Sequence, residues 1–533
     1  MTRPTIHREY GYLNGSIWYA LTTSNQSVAS KNCVLICPPI GHEYTHTYRT
    51  LFDLSDQLAL KGSDSLRIDY RGTGNSIEDM TNIESVDEWV KDIEIACSYL
   101  HDLGYKQLSL VGLRMGGTLI SLTTFPTVKS KTLWHPITDG RRTVRDLELM
   151  GETHTQGLSS GGFLYGHKLM DSIKTVKLND VTSNNVRTLI LDREDSPSAH
   201  KLATLWQCDY RQVSDYLAIM TPPQYSSPCP FVLEEIARWA STASAYSTDQ
   251  LSHSNQRISV DSSSTLPIFG CQEEAEDICD APEIFGVLTQ PKEPTHKLLL
   301  IPNTGAAHNV GPNRLHVDIA RFLANEGIAV FRFDLANLGE GGTTDPMLRN
   351  APYPPAAHHD LRHILTHFRA RYTNIGVVGI CSGANLSYRC LTSDPEFSVD
   401  KLVMINTIVF DIEHDPDIGN TLIRPPSIST RACNYFRRKS QKFLGYLIRP
   451  LVTKGWWPHN QFYRSLNELD RRNSLTLMYS ADDVSEGVIS EKSGAYGHLL
   501  KQKFDYRTID GADHTFTSPD SRIALAKELS RVI

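Results

Sequence analysis

The sequence lacks three features that would assign it to a membrane or to nucleic acid. It has no continuous run of about 18 or more apolar residues, so no membrane span is expected. The net charge is −7 at pH 7 and no concentrated basic stripe is present, which argues against a nucleic-acid partner. Residues Met1–Pro4 do not begin a charged and then apolar signal sequence.

The cysteines form no disulfide framework. The chain has ten of them, with no Cys-x-x-Cys, and the closest pairs are Cys33/Cys37 and Cys271/Cys279. This pattern is typical of reduced thiols in a cytosolic protein. We therefore expect a cytoplasmic protein with neither a metal nor a cofactor.

What the sequence does contain is a cysteine at the centre of a nucleophile elbow. The apolar, β-branched stretch Ile375–Val378 leads directly into Gly379-Ile380-Cys381-Ser382-Gly383 and then into a segment that can be helical. This strand-turn-helix context exposes the central side chain, and the two glycines let the helix pack close to the strand. The Gly-x-Cys-x-Gly frame selects Cys381 and not Ser382.

An acid and a histidine follow in the order that such a nucleophile requires. The apolar run Leu475–Ser480 is predicted to be a strand that ends at Asp482 and Asp483, and a later strand leads to His514. We expect His514 to be the general base and Asp483 to orient its imidazole, with Asp482 as the alternative acid.

An oxyanion hole is expected from two backbone sites. One is the N–H of Ser382, and the other is the loop Pro302–His308 after the predicted strand Lys297–Ile301. Thr304, Gly305 and Ala306 all remain candidates for the second N–H. His308 is either a residue of the substrate pocket or an ordinary surface histidine.

The order of elements in the second half also occurs in the first half. Strand Cys33–Cys37, a Gly-containing loop, a helix over Thr50–Lys61 and strand Ser65–Tyr70 precede a helix near Asp87–Leu103. Strand Gln107–Val111 then leads to Gly112-Leu113-Arg114-Met115-Gly116. Alternating strands and helices predict a mostly parallel sheet covered by helices on both faces, here in two tandem copies.

The first copy is expected to have no catalytic activity of its own. Arg114 occupies its elbow, and a guanidinium cannot act as a nucleophile. An acid position survives at Asp192 or Asp195, but Gln224 stands where a base is expected. Arg114 is either a binding residue for an anionic group or a member of an internal ion pair.

The predicted domains are residues 1–245 and 266–533, joined by a polar, turn-rich linker over 246–265. Each copy carries an insert before its acid strand, at Ser130–Asn185 and at Thr407–Arg472, which is expected to form a helical lid. The second insert is rich in aromatic residues, which would suit either an apolar acyl pocket or the packing of helices.

By these motifs the chain resembles the α/β-hydrolase superfamily over nearly its whole length. The first half is similar to hydrolases found beside exosortase systems, through Pro38-Pro39, Asp69–Gly74 and Leu133–Gly140. It departs from that pattern at Arg114 and Gln224. The second half resembles hydrolases of polyketide and peptide natural-product pathways, through His308–Arg314 and Gly379–Ala384. Its elbow is also similar to those of dienelactone hydrolases, and of thioesterases and Dieckmann-type cyclases with a Cys-His-Asp triad.

The residues and the resemblance together predict an acyl-transfer enzyme that acts through a Cys381 thioester. Its substrate is expected to be a thioester or ester of secondary metabolism, with an acyl group on a carrier protein as one form. Two alternatives stay open: a non-catalytic scaffold of hydrolase fold, and a dienelactone-hydrolase-like carboxylic ester hydrolase. A homodimer also stays open.

Overall fold

The computed structural model describes residues 6–24, 32–181, 186–242, 263–266, 271–278, 284–394, 396–407, 461–485 and 496–533. The chain divides into two compact units, Met1–Ala275 and Glu276–Ile533. Most of the predicted linker lies outside the described residues, although its last residues belong to a strand, Ser263–Leu266. In the part of the chain that the structure describes, no helix has the length and apolarity needed to cross a membrane.

The first unit alternates strands and helices after an amino-terminal hairpin. Its strands are β1 (Ile6–Leu13), β2 (Ile17–Ser24), β3 (Asn32–Cys37), β4 (Asp64–Ile68), β5 (Gln107–Leu113), β6 (Val128–Trp134), β7 (Gly151–His154), β8 (Gly157–Ser160), β9 (Phe163–Gly166), β10 (Arg187–Asp192) and β11 (Asp209–Gln212). Its helices are α1 (His42–Leu60), α2 (Val86–Asp102), α3 (Met115–Leu122), α4 (Gly140–Met150), α5 (His167–Thr175), α6 (Pro197–Trp206), α7 (Tyr216–Ile219) and α8 (Pro230–Thr242).

The second unit repeats this alternation. The second sheet contains β12 (Ser263–Leu266), β13 (Cys271–Ile278), β14 (Ile284–Pro291), β15 (Lys297–Ile301), β16 (Ala329–Asp334), β17 (Asn374–Ile380), β18 (Lys401–Ile405), β19 (Leu475–Ser480) and β20 (Asp505–Ile509). The helices are α9 (Leu315–Asn325), α10 (Ala357–Phe368), α11 (Ser382–Ser393), α12 (Gln461–Asn473), α13 (Ala481–Ser485), α14 (Tyr496–Lys503) and α15 (Pro519–Val532). The division between the units falls within β13.

The two sheets share one strand order, except that the second has an additional edge strand, β12. In the first sheet the order is β1-β2-β4-β3-β5-β6-β10-β11, and from β4 onward all pairs are parallel. In the second the order is β12-β13-β14-β16-β15-β17-β18-β19-β20, and the pairs from β16 onward are parallel. In parallel sheets the carboxyl ends of neighbouring strands meet at one edge, so each sheet brings its strand-end loops together.

The central strands are apolar because both of their faces are buried. Side chains alternate between the two faces of a strand, so Val377 packs into the core on one side of the second sheet and Val378 into the core on the other. A strand covered by helices on both faces therefore needs a continuous apolar run, which is what β17 supplies.

Two expectations about the first unit are corrected. Helix α1 begins at His42 and not near Thr50, because Tyr44, Thr47 and Tyr48 are buried against the sheet. Packing of that face outweighs the low helix propensity of aromatic and β-branched residues. The insert of this unit is only partly helical, since β7, β8 and β9 form a small antiparallel sheet between α4 and α5. Its predicted start, Ser130, lies inside β6.

Candidate active site

Cys381 occupies a strained turn between β17 and α11. Its φ and ψ are 53° and −111°, a conformation that side-chain-bearing residues rarely adopt. The Cys381 N–H donates to the carbonyl oxygen of Ile405 at 2.9 Å, which ties the turn to the neighbouring strand β18. A side chain at Gly379 would collide with the backbone of Gly383, so these glycines permit the close approach of strand and helix.

His514 and Asp483 lie in the loops that follow β20 and β19. The Nδ1 atom of His514 is 2.7 Å from an oxygen of Asp483, and the His514 side chain is also hydrogen-bonded to Cys381. Asp483 is buried, whereas Asp482 is exposed and its N–H donates to the carbonyl of Ala512. The structure therefore brings the three residues proposed from the sequence together and selects Asp483 over Asp482.

The charge state of His514 follows from these partners. Burial opposes a positive charge on the imidazole, but the hydrogen bonds to Asp483 and Cys381, with their charges, raise the pKa of His514 to about 10. The imidazole is therefore protonated at neutral pH when the thiolate is beside it. A protonated imidazole beside a thiol stabilises the thiolate, which is the form in which a cysteine attacks a carbonyl.

Asn406 positions the histidine loop and was not expected from the sequence. It follows β18 directly, with φ of 49°. Its Nδ2 donates to the carbonyl of His514 at 2.8 Å, and its Oδ1 accepts from the N–H of Ser480 at 2.8 Å. The one sequence feature that pointed to Asn406 is an asparagine, a residue that tolerates positive φ, at the carboxyl end of a buried strand.

The loop after β15 lies against the elbow. The N–H of Gly305 donates to the Ser382 hydroxyl at 2.7 Å, so side chain and loop amide are already paired. The Thr304 hydroxyl contacts Nε2 of His316 at 2.9 Å. Burial, with the nearby Arg332, lowers the pKa of His316 to about 3, so this imidazole is neutral.

A buried aspartate fixes the same loop. Asp334 accepts hydrogen bonds at 2.7 Å from the side-chain amides of Asn303 and Asn309. Burial raises the pKa of Asp334 to about 7 although these bonds favour its charged form. His308 lies between them in sequence and is buried, so it is not the surface histidine that the sequence left open.

Tyr353 is the other site residue that the sequence analysis missed. It lies in the segment between the short 3-10 helix Pro346–Leu348 and α10, and its hydroxyl oxygen is 4.0 Å from Sγ of Cys381. The one sequence feature that pointed to Tyr353 is an aromatic residue between two prolines in the loop after β16. The second insert lies largely outside the described residues, so the proposed aromatic lid is also outside them.

In the first unit Arg114 adopts the same turn with φ of 54° and ψ of −118°. Its Nε donates to Glu43 at 2.9 Å, and Nη1 donates to the carbonyl of His135 at 3.2 Å. The guanidinium also lies over the ring of Tyr216. Burial opposes the charge, but Glu43 raises the pKa of Arg114. Of the two roles left open for Arg114, the internal ion pair is present.

Among the described residues around this elbow, the remaining polar groups form no nucleophile–base pair. His135 is buried between Asp192 and Asp215, at 2.8 and 3.0 Å. Burial works against the imidazolium, but both carboxylates raise the pKa of His135. Gln224, which the sequence placed at the base position, lies exposed in the short helix Pro223–Tyr225.

No group of three or more His, Cys, Asp or Glu side chains could hold a metal ion within the residues that the structure describes.

No protein-family model matches this chain, and no curated protein sequence matches it. Among solved structures, Est1E from Butyrivibrio proteoclasticus is similar over 45% of this chain and 99% of its own, at 16% identity and a TM-score of 0.35. A dienelactone hydrolase from Anabaena variabilis is similar over 49% of this chain and 96% of its own, at 16% identity and a TM-score of 0.31. A serine hydrolase homologue from Coxiella burnetii matches 48% of this chain and 96% of its own, at 14% identity and a TM-score of 0.30.

Each unit has a mostly parallel sheet of the same strand order, with a strained elbow between a central strand and the helix that follows it. Both units have the α/β-hydrolase fold.

Proposed function

We propose that the second unit is an acyl-transfer enzyme in which Cys381 forms a covalent thioester with the acyl group of an ester or thioester. The observation that carries the proposal is the chain of hydrogen bonds from Asp483 through His514 to Cys381, at a strained and half-buried turn. A scaffold protein without chemistry would have no need for this alignment.

The first half-reaction begins with a thiolate. Sγ of Cys381 attacks the carbonyl carbon of the donor, and the carbonyl electrons move onto oxygen. When the tetrahedral intermediate collapses, the bond to the leaving group breaks and the imidazolium of His514 gives it a proton. Because Nδ1 of His514 is held by Asp483, Nε2 is the nitrogen that faces this transfer.

The second half-reaction returns the enzyme to its resting state. His514, now neutral, takes a proton from the acceptor, which attacks the thioester, and the thiolate leaves as the imidazolium re-forms. A thioester is energy-rich, so amines, alcohols or carbanions can serve as acceptors as well as water. Transfer and cyclisation therefore belong to the proposal beside hydrolysis. A carrier-bound acyl group in secondary metabolism is our proposed donor.

The test is to trap the acyl-enzyme in the full-length protein. The protein is incubated with 4-nitrophenyl esters and with acyl N-acetylcysteamine thioesters, and intact mass and peptide mapping locate the adduct. We expect one acyl group on Cys381 and none in Cys381→Ala. Cys390→Ala is the matched control, because Cys390 is buried in α11 beyond the elbow and its removal leaves the adduct in place.

Two results would contradict the proposal. One is full turnover by Cys381→Ala. The other is a wild-type protein that turns over an acyl donor whose adduct never forms on Cys381 under quench conditions. The fate of a trapped adduct in water, or with added amines and alcohols, then distinguishes hydrolysis from transfer.

We further infer that the first unit contributes no acyl chemistry. Arg114 cannot attack a carbonyl, and its guanidinium is already paired with Glu43. The other role left open for Arg114, the binding of an anionic group, stays a proposal beside its ion pair with Glu43.

A further inference from the structure

We propose that the hydroxyl of Tyr353 is a catalytic group, which donates a hydrogen bond to the oxyanion that forms when Cys381 attacks a carbonyl. The inference rests on the proposed acyl transfer and names a donor that the sequence motifs do not supply.

The first observation is that the loop amide is already in use. The N–H of Gly305 donates to the Ser382 hydroxyl at 2.7 Å, although Gly305 is one of the residues expected to donate to an oxyanion. Ser382 is the first residue of α11, and its own N–H has no acceptor within the helix. Of the amides expected to serve the oxyanion, the Ser382 N–H lies at the helix start and the Gly305 N–H is engaged by a side chain, which leaves Thr304 and Ala306 as the loop donors.

The second observation is the position of Tyr353. Its hydroxyl oxygen lies 4.0 Å from Sγ of Cys381. That separation makes at most a weak contact with the sulfur and leaves room for another atom between the two groups. A carbonyl carbon bonded to Sγ carries its oxygen one bond further from the sulfur, and that oxygen comes within reach of the hydroxyl.

The segment that carries Tyr353 is held at both ends. The N–H of Asn350 donates to the carbonyl of Asn337 at 3.1 Å, and Nη2 of Arg389 in α11 donates to the carbonyl of Pro355 at 3.1 Å. Tyr353 lies between two prolines, whose rings restrict the backbone on either side. A donor that is fixed before the reaction needs no reorganisation when charge develops, which is the requirement for an oxyanion donor.

The hydroxyl also keeps its proton under working conditions. Burial, and after it the proximity of Cys381, raise the pKa of Tyr353 above its ordinary value of 10.0. The group is therefore a hydrogen-bond donor throughout the neutral range and carries no charge that would repel the oxyanion.

The experiment measures acylation by 4-nitrophenyl acetate and alkylation by iodoacetamide in the same full-length variants. Tyr353→Phe keeps the ring and removes only the donor. We expect the acylation rate to fall by about 10²–10³-fold, the loss typical of one oxyanion donor, while the alkylation rate and its pH dependence stay unchanged. Alkylation forms no oxyanion, so it reports the thiolate alone.

Tyr506→Phe is the matched control. Tyr506 is half-buried on β20, stacks on Tyr479, and its hydroxyl has no hydrogen-bond partner in the described chain. We expect both rates to stay at the wild-type level in this variant.

A second comparison tests whether the Ser382 hydroxyl keeps the Gly305 amide from the oxyanion. Ser382→Ala removes the hydroxyl that occupies the Gly305 amide and so frees this amide for the oxyanion. In the Ser382→Ala background, Tyr353→Phe should cost about tenfold less than in the wild type. An equal loss in both backgrounds would overturn the claim that the Gly305 amide is withheld.

Three further outcomes are decisive. Acylation by Tyr353→Phe within threefold of wild type overturns the role of Tyr353 and leaves the Cys381 thioester intact. Parallel losses in acylation and alkylation overturn the oxyanion role and make Tyr353 a residue that positions the thiolate. A wild-type protein that is never acylated refutes the proposed function itself, and the assignment of Tyr353 with it.

Discussion

The elbows of the two units have nearly the same backbone and different chemistry. Arg114 and Cys381 have φ values of 54° and 53°, and each N–H donates at 2.9 Å to a carbonyl at the end of the neighbouring strand. In both, the glycine two residues before the turn lies against the backbone of the helix that follows. The strained turn is therefore a property of the strand-to-helix connection, and it does not by itself indicate a nucleophile.

What separates the two elbows is the group that faces each one. In the second unit His514 reaches Cys381 and is held by Asp483. In the first, the ring of Tyr216 lies beneath the guanidinium of Arg114, and the acidic residues of the neighbouring loops bind His135. Function is thus indicated by the partners of the turn.

The largest expected effect tests this division. Cys381→Ala should lower the turnover of an acyl donor by about 10⁴-fold or more, because the nucleophile is lost. Arg114→Ala should leave kcat nearly unchanged and at most raise KM, since it removes only a charge. Steady-state kinetics on the full-length variants, with circular dichroism to verify folding, make the comparison. A fall of kcat by orders of magnitude in a folded Arg114→Ala protein would mean that both units serve one site.

The next largest effect is expected from substitution of Asp483, the proposed acid. Asp483→Asn should reduce kcat by up to about 10⁴-fold, because the amide no longer holds the required tautomer of His514 or stabilises its charge. Asp482→Asn is the matched control, adjacent in sequence but exposed, and should stay within threefold of wild type. Similar losses in both variants would show that Asp483 is not the orienting acid.

Asp483 also sets the pH dependence of acylation through the pKa of His514. The pKa of His514 is raised to about 10, so the protonated imidazole is the stable form below that value. Proton donation to the leaving group should therefore decline only as pH rises through about 10. In Asp483→Asn the alkaline limb of the acylation rate should move to lower pH, because a group that raises the pKa is gone. An unmoved limb would assign this titration to another group.

Much of this comparison could be predicted from the sequence. Continuous apolar runs before glycines predicted β5 and β17 and hence both turns, because a strand buried on two faces has few other compositions. The chain order of Cys381, Asp483 and His514 predicted which three side chains the structure brings together. Tyr353 and Asn406 could not be found in this way, since neither belongs to a periodic pattern and both act through contacts with residues distant in sequence.

Substitution of one glycine in each unit compares the loops that follow β4 and β16. Gly74 and Gly339 both have positive φ, and a methyl group at either would collide with a buried carboxylate, Asp69 or Asp334. Each change to alanine should destabilise the unit that carries it by about 1–3 kcal/mol. Only Gly339→Ala should also lower turnover, because Asp334 holds the loop beside Cys381. Denaturant unfolding and kinetics measure the two effects, and equal loss of turnover in both would contradict the separation of the units.

The smallest effect is the response of the first unit to pH. His135 has a pKa raised above 6.5 by Asp192 and Asp215, so the stability it contributes is fully present below 6.5 and is lost as pH rises through its folded-state pKa. The pKa of Asp192 is lowered from 3.8, so its contribution disappears only in acid. Urea unfolding of the first unit should therefore require less denaturant at alkaline pH than near pH 6. In His135→Asn this dependence should flatten, and an unchanged slope would remove His135 as its source.

The shared turn also has a meaning for how such chains change over time. Because its shape depends on close-packed glycines and strand-end carbonyls, the residue at its centre can be replaced without rebuilding the fold around it. The side chain at the centre of the turn and the architecture around it are then encoded at separate positions, as Arg114 and Cys381 in the same backbone turn illustrate. A chain with two such turns offers selection two sites for new chemistry within one stable frame.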